Sequence, residues 1–368
     1  MIRAGLIGLG KMGLSHQAIL NVHPEIDLVA VCDATQYVLD ILEKYTGVRT
    51  YSDYRRMIDN GNVDCVVVAT PSRFHGEMVR YALDRGLHVF CEKPFCLDLD
   101  QGQQLIEIAA ARNLVNQVGY HYRYVEAFKE ARRLVQAGVL GRLHHVRAEA
   151  YGPVVLRSSG ATWRSNRAEG GGCLYDYASH ALDLLNFLVG APNAISGAVL
   201  NRIFSKNVDD EVYASLHFPG GLSGQLAANW SDDSHRKMST KVTLWGDNGR
   251  MVIDRQECQI YLRSAAHAEP ALPAGWTIRY TTDLIEPVWY YLRGEEYSRQ
   301  IDSFAQAILG RSVECASTFA TALETDRVIQ AIISAAHRDS AVIVPTTRAA
   351  AKAPERRGLF GLMRRIGH

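Results

Sequence analysis

Short apolar runs and amphipathic stretches alternate through the first third of the chain. Residues 2–7 form an apolar run that leads straight into Gly8-Leu9-Gly10-Lys11-Met12-Gly13, and helical spacing of apolar positions follows to Leu20. A second run, residues 28–32, ends at Asp33, and residues 63–69, 87–91 and 114–118 repeat the pattern with helical segments between them. Runs this short and this uniformly apolar, separated by helices, predict a parallel, doubly wound sheet buried on both faces. Sheets of this kind bind ligands beyond the carboxyl ends of their strands. Thr70, Lys93 and Tyr120 fall at such ends.

After Tyr124 and a helix to Ala137 the period changes. Residues 143–151, 194–204, 211–218, 221–230, 240–245, 250–254 and 259–262 read as strands, mostly joined by Gly, Pro, Asn and Asp. Connections too short for helices predict a large, mainly antiparallel open sheet. One face is expected to pack on a helix starting near Tyr175, leaving the other for a partner subunit in a homodimer or homotetramer. Two late helices (297–309 and 318–338) and a short strand (341–344) complete an α+β domain. The expected division is therefore a dinucleotide-binding domain over 1–123, a substrate and oligomerisation domain over 124–346, and a tail over 347–368.

Composition adds mainly exclusions. A formal net charge of +1 and the absence of helix-turn-helix or zinc-finger spacing argue against nucleic-acid binding. No apolar run approaches the ~20 residues of a membrane span, and no signal-peptide pattern opens the chain, so a cytoplasmic location is expected. The cysteines, 7 in number and without C-x-x-C spacing, read as buried thiols in a reducing compartment. In the tail, Arg348, Lys352, Arg356, Arg357, Arg364 and Arg365 face the single acid Glu355, while Leu359, Leu362, Met363 and Ile366 share a helical face. Either a solvated tail or a peripheral contact with an anionic membrane or a protein would fit.

The glycine motif between strand and helix is a Rossmann-type dinucleotide fingerprint, in which Gly8, Gly10 and Gly13 let a pyrophosphate approach the backbone. Lys11 and Met12 lie within that loop. Asp33 stands where such folds place a carboxylate for the ribose hydroxyls, and no Arg or Lys follows in 34–36 to neutralise a 2′-phosphate. NAD(H) is expected in preference to NADP(H). Thr70, Pro71, His75, Glu92, Lys93 and Tyr120 are the other candidate contacts to the cofactor.

A second polar constellation interrupts an apolar helix. After Gly170-Gly171-Gly172, residues Asp176, His180 and Asp183 recur at i, i+4 and i+7, on one helical face. Histidine suits the removal of a hydroxyl proton near neutrality, and Lys93 suits stabilisation of a developing alkoxide. Asp176 is expected to orient the imidazole or hold a substrate hydroxyl, and the glycines to let the backbone approach the substrate. No metal is needed for this chemistry, and none is expected.

The Gly8–Gly13 motif, Glu92-Lys93-Pro94, the 119–123 segment and Asp176-x-x-x-His180 together resemble the Gfo/Idh/MocA oxidoreductase family, over roughly residues 1–345. That resemblance implies a nicotinamide-dependent dehydrogenase or reductase of sugars, cyclitols or nucleotide sugars. It also implies catalytic roles for Lys93, Asp176 and His180, and is compatible with a cis Lys93-Pro94 bond. Arg123, Tyr151, Trp163, Arg164 and Arg236 are candidate substrate contacts beside Lys93, Asp176 and His180. Their aromatic faces and cations favour a nucleotide-activated sugar, in surface-glycan synthesis, over a free sugar or inositol. A non-catalytic NAD-binding regulator is the alternative of a different class, disfavoured by the presence of both Lys93 and His180.

Overall fold

The computed structural model describes residues 1–156, 162–268, 270–285, 294–311, 315–338 and 340–345. The basic tail anticipated over 347–368 lies outside the described residues. Two sheets are present, the first of 6 strands and the second of 9.

The first sheet contains β1 (Ile2–Ile7), β2 (Ile26–Cys32), β3 (Arg49–Tyr51), β4 (Cys65–Val68), β5 (His88–Cys91) and β6 (Asn116–Val118). All pairs are parallel, in the order β3-β2-β1-β4-β5-β6. Every residue of β4 is buried, as a strand covered on both faces requires. Helices α1 (Lys11–Val22), α2 (Gln36–Thr46), α3 (Tyr54–Asn60), α4 (His75–Asp84) and α5 (Leu99–Ala111) supply the crossovers. The strand order reverses between β1 and β4, so the crevice of a doubly wound sheet opens there.

The second half begins with α6 (Glu126–Gln136) and places β7 (Leu143–Tyr151), β8 (Ala194–Asn201), β9 (Glu211–His217), β10 (Ser223–Asn229), β11 (Ser239–Gly246), β12 (Gly249–Ile253), β13 (Glu257–Leu262), β14 (Gly275–Tyr280) and β15 (Val342–Ile343) in one sheet. Its order is β14-β13-β12-β11-β7-β10-β9-β8-β15. The β7–β10 pair is parallel and the other pairs are antiparallel. Helix α7 (Ser179–Val189) covers the inner face, burying Leu182, Leu185 and Leu188 against Val146, Ala148 and Ala150 of β7. Strand β14 was not among the expected strands. Its apolar side chains Trp276, Ile278 and Tyr280 point outward and are exposed, whereas Arg279 turns in to pair with Glu130.

After the short α8 (Thr281–Leu284), the chain does not stay with the second sheet. Ile301, Phe304 and Ala305 of α9 (Glu295–Ile308) complete the core under β1 and β4. Phe319 of α10 (Phe319–Ala335) stacks on Phe95 at 4.2 Å, while Val328, Ile329 and Ile332 further along join the core of the second sheet. Ahead of α10, Val118 of β6 donates to the Ser317 carbonyl at 2.8 Å. Both late helices thus tie the two sheets together.

The cysteines are all buried and free of disulfides. Among the described residues no helix is long and apolar enough to cross a membrane.

Candidate active site

A cleft of about 940 Å³ lies at the switch point, between the carboxyl ends of the parallel strands and the start of α7. Its floor is the glycine loop. Gly8 has φ +95°, and a Cβ there would meet the Ala69 carbonyl at 2.7 Å. A Cβ at Gly13 would overlap the Gly8 carbonyl, so this glycine serves the close seating of α1 on β1. Nothing lies within 4 Å of a Cβ built at Gly10. The backbone at the start of α1 therefore opens onto empty space, and a helix N-terminus exposed in this way suits a pyrophosphate. Asp33 accepts from Leu9 N at 2.7 Å and Thr35 N at 2.8 Å, and its carboxylate, which can accept further bonds, lines the cleft, as suits ribose hydroxyls. These residues fit a dinucleotide.

Lys11, Met12, Thr70, Pro71, Glu92 and Lys93 also line the cleft. His75 and Tyr120, both expected there, do not. The His75 ring is fully buried between the Pro94 carbonyl (Nδ1, 2.8 Å) and the Thr70 carbonyl (Nε2, 2.9 Å), where it ties two strand-end loops together. Tyr120 is also sealed in the core and packs edge-on against His180, with ring centroids 6.0 Å apart.

The Lys93-Pro94 bond is cis. Lys93 Nζ donates to Asp176 Oδ1 and to the Asp176 carbonyl, both at 2.9 Å, and Arg164 Nε donates to Asp176 Oδ2 at 2.9 Å. Burial opposes the charge on Asp176, but the Lys93 and Arg164 cations outweigh it and hold the carboxyl down to about 2. Asp176 therefore engages the lysine rather than orienting His180. Glu92 is buried beside it, its Oε1 2.7 Å from His16 Nε2 on α1. His16 was not anticipated; its only sequence signal is its place on the buried face of the helix that follows the glycines.

The helix carrying these groups opens with a wide, π-type turn over Leu174–Ala178 before α7 begins. Ser179 Oγ spans that turn to the Tyr175 carbonyl at 2.7 Å, and the Asp209 carboxylate accepts from Leu174 N at 2.6 Å. The three expected helix-face residues therefore reach different partners. His180 sits within a ring of aromatics, 5.0 Å from His121 and 5.3 Å from Tyr122 by centroids, and its Nδ1 is buried without a partner among the described residues. Burial, then the charges on Lys93 and His121, push its pKa well below the ordinary imidazole range. The ring is thus neutral and able to accept a proton throughout neutral pH.

A pH profile checks this. The acid limb of kcat/KM assigned to His180 is expected below pH 6.5, with no titration of this group from there to pH 8, and His180→Asn should remove that limb. Stability carries the same sign. Below the ordinary histidine pKa of about 6.5 the unfolded chain takes up a proton that the folded site refuses, so this contribution is full above that pH and declines as pH falls.

Three expected substrate contacts lie elsewhere. Arg123 is 3% exposed and forms a two-point ion pair with Asp183 (2.8 and 2.6 Å), which takes both residues out of the cleft. Tyr151 belongs to the outer set of β7, where strand alternation turns it away from α7, and it stacks on His235 at 5.8 Å. Arg236 is exposed outside the cleft, and its neighbours Lys237 and Met238 face in instead. Trp163 and Arg164 do line the cleft, the guanidinium 4.7 Å from the indole. The glycines of 170–172 pack against the protein itself: a Cβ at Gly170 would crowd Ser72, and one at Gly172 would meet Asp209.

Comparison with known proteins bears on this arrangement directly. Residues 2–120 match the family model described as "Oxidoreductase family, NAD-binding Rossmann fold", and residues 128–252 match the GFO/IDH/MocA C-terminal domain. The D-glucoside 3-dehydrogenase of Escherichia coli K12 is 30% identical over 268 residues, spanning 67% of this chain and 75% of that protein. A solved levoglucosan dehydrogenase in complex with NADH and L-sorbose is 24% identical with a TM-score of 0.83, covering 95% of this chain and all (100%) of that one. The WlbA dehydrogenase of Bordetella pertussis, solved with NADH and UDP-GlcNAcA, is 22% identical with a TM-score of 0.76, covering 94% and 99%. A glycine cradle, an Asp33 carboxylate and a Lys93–Asp176 pair thus meet in a chain matched along two family domains, and this chain belongs to the Gfo/Idh/MocA family of oxidoreductases.

Proposed function

We propose that this enzyme uses NAD(H) to oxidise a secondary hydroxyl on a carbohydrate ring, or to reduce the corresponding ketone. The observation that carries the reading is the meeting of Lys93 and His180 in one cleft, from the loop that follows β5 in one half and from helix α7 of the other. A bound nicotinamide supplies the hydride acceptor. An ammonium has three N–H groups, and Asp176 takes two of those on Lys93, which leaves the third for the substrate oxygen. As that oxygen gains alkoxide character, the lysine stabilises it without rearranging. His180, held neutral, accepts the hydroxyl proton. Asp176 stays charged and fixes the lysine.

Two carboxylates, Asp33 and Asp53, line the ribose end of the cleft, and Asp53 is anchored there as the cap of α3, accepting from Arg55 N at 2.9 Å. A 2′-phosphate would meet both, which supports NAD over NADP. Steady-state kinetics should give kcat/KM for NAD⁺ at least about tenfold above NADP⁺, the size of one unfavourable charge contact. Equal values would remove the cofactor preference. Failure of a panel of free sugars, inositols and UDP-sugars to reduce NAD⁺ would remove the reading as a whole.

Trp163, Tyr177 and the cations of the cleft support a nucleotide-activated sugar as substrate, with a role in surface-glycan synthesis, and the solved UDP-GlcNAcA complex of a relative agrees in kind. The D-glucoside dehydrogenase relative favours a free glycoside as the second reading. On the outer face of the second sheet, exposed Tyr213, Tyr261, Trp276 and Ile278 support pairing of two copies through that face. The buried free thiols support a reducing, cytoplasmic compartment.

A further inference from the structure

The cleft continues past the catalytic groups into a side lobe of about 420 Å³. Lys11 stands on it from the first turn of α1 and Lys237 from the connection between β10 and β11, and Val154, Met238, Tyr297 and the Arg255 guanidinium are among its walls. The same residues border the main cleft, so the lobe is its extension rather than a separate cavity.

The cations around this space divide into two groups. Lys93 and Arg164 are committed to Asp176, Arg73 to Glu169 and Arg255 to Glu296. Among the described residues, no ion pair engages the Lys11 or Lys237 side chain. Two unpaired ammonium groups, one from each half of the molecule, thus border one lobe whose walls are partly apolar. Like charges facing a shared space repel when it is empty and are relieved by an anion, and apolar walls strengthen that attraction. Lys11 adjoins the glycine loop and is also within the dinucleotide's region. Lys237 belongs to the opposite half, and the glycine cradle gives no reason for a cation there.

We propose that this lobe is a subsite for an anionic substituent of the substrate, a carboxylate or a phosphoryl group remote from the reacting carbon, held between Lys11 and Lys237. The proposal rests on the carbohydrate dehydrogenase reading and narrows it to acidic or phosphorylated sugars. Neutral glycosides would leave the two lysines unsatisfied.

The test is calorimetric titration of the full-length, NADH-loaded protein with four probes: methyl α-D-glucopyranoside, D-glucuronate, D-glucose 1-phosphate and UDP-glucose. At least one anionic probe should bind ten times or more tightly than the neutral glycoside, and the difference should shrink as salt is raised. Lys237→Gln should reduce that preference at least tenfold, and Lys237→Arg should retain it. Comparison of the glucuronate and phosphate arms identifies the anion. Equal affinities for neutral and anionic probes, or an unaltered preference in Lys237→Gln, would overturn the proposal. So would a loss confined to NADH affinity in Lys237→Gln, because the lysine would then serve the dinucleotide phosphates. Turnover is read separately with NAD⁺. Probes that bind with the expected preference but are never oxidised count against the dehydrogenase reading and leave the subsite standing.

Discussion

Lys93→Ala is expected to lower kcat by about 10²- to 10³-fold, the range found when a preorganised donor to a developing oxyanion is removed. The lysine is aimed by two bonds to one residue, Asp176 Oδ1 and its carbonyl, so a shorter side chain leaves the alkoxide without the ammonium positioned to donate to it. Asp176 would retain Arg164 alone, and its pKa should climb from about 2 because burial would then be less opposed. NADH affinity, read by fluorescence, should change little, since Gly8, Gly10 and Asp33 are untouched. Lys93→Arg is not expected to rescue the rate, because a planar guanidinium cannot reproduce the three-way geometry of an ammonium. Full activity in Lys93→Ala would refute the catalytic assignment.

The largest effect on stability is expected from Asp183→Asn. Arg123 and Asp183 are 3% and 1% exposed, and burial opposes the charge on Arg123, yet Asp183 more than offsets this and raises the arginine's pKa above its ordinary range. The asparagine removes the counter-charge and one acceptor oxygen, leaving a buried guanidinium with neutral acceptors, the amide oxygen and the Ala316 carbonyl at 2.7 Å. Breaking a buried pair in this way costs about 3–5 kcal/mol, whereas replacing both partners by apolar residues is often neutral. Urea unfolding should therefore place Asp183→Asn well below wild type and Arg123→Met/Asp183→Leu between the two. A double variant no better than the single one would show that the pair does more than neutralise its own burial.

The parallel sheet was legible because short apolar runs with glycines at their ends leave little room for another architecture. The same holds for Lys93, Asp176 and His180: a strand end and a helix start could be located, and the cleft joins them. Legibility ended wherever a side chain's direction depended on distant residues. Arg123 looked like a substrate cation because sequence does not reveal that Asp183, 60 positions away, turns back to meet it. Tyr151 and Arg236 failed for a local reason, since a one-residue change of register moves a strand or loop side chain to the opposite face. The π-type turn at 174–178 is likewise invisible to a helical period, and it sends Asp176 and His180 to separate tasks. Strand β14 alternates like any strand, but with its apolar side outward.

The return of α9 and α10 to the first sheet bears on how this molecule can be dissected and how it can move. A fragment ending at residue 123 would lack Ile301, Phe304 and Phe319 from its cores, and a fragment beginning at 124 would carry those side chains with nothing to bury them. Neither half is a self-sufficient module to be grafted or exchanged. Any opening of the cleft would also have to accommodate several covalent crossings at once, near 124, at the start of α9 and along α10 itself. That favours small, concerted adjustments over the wide swing available to two lobes on a single linker.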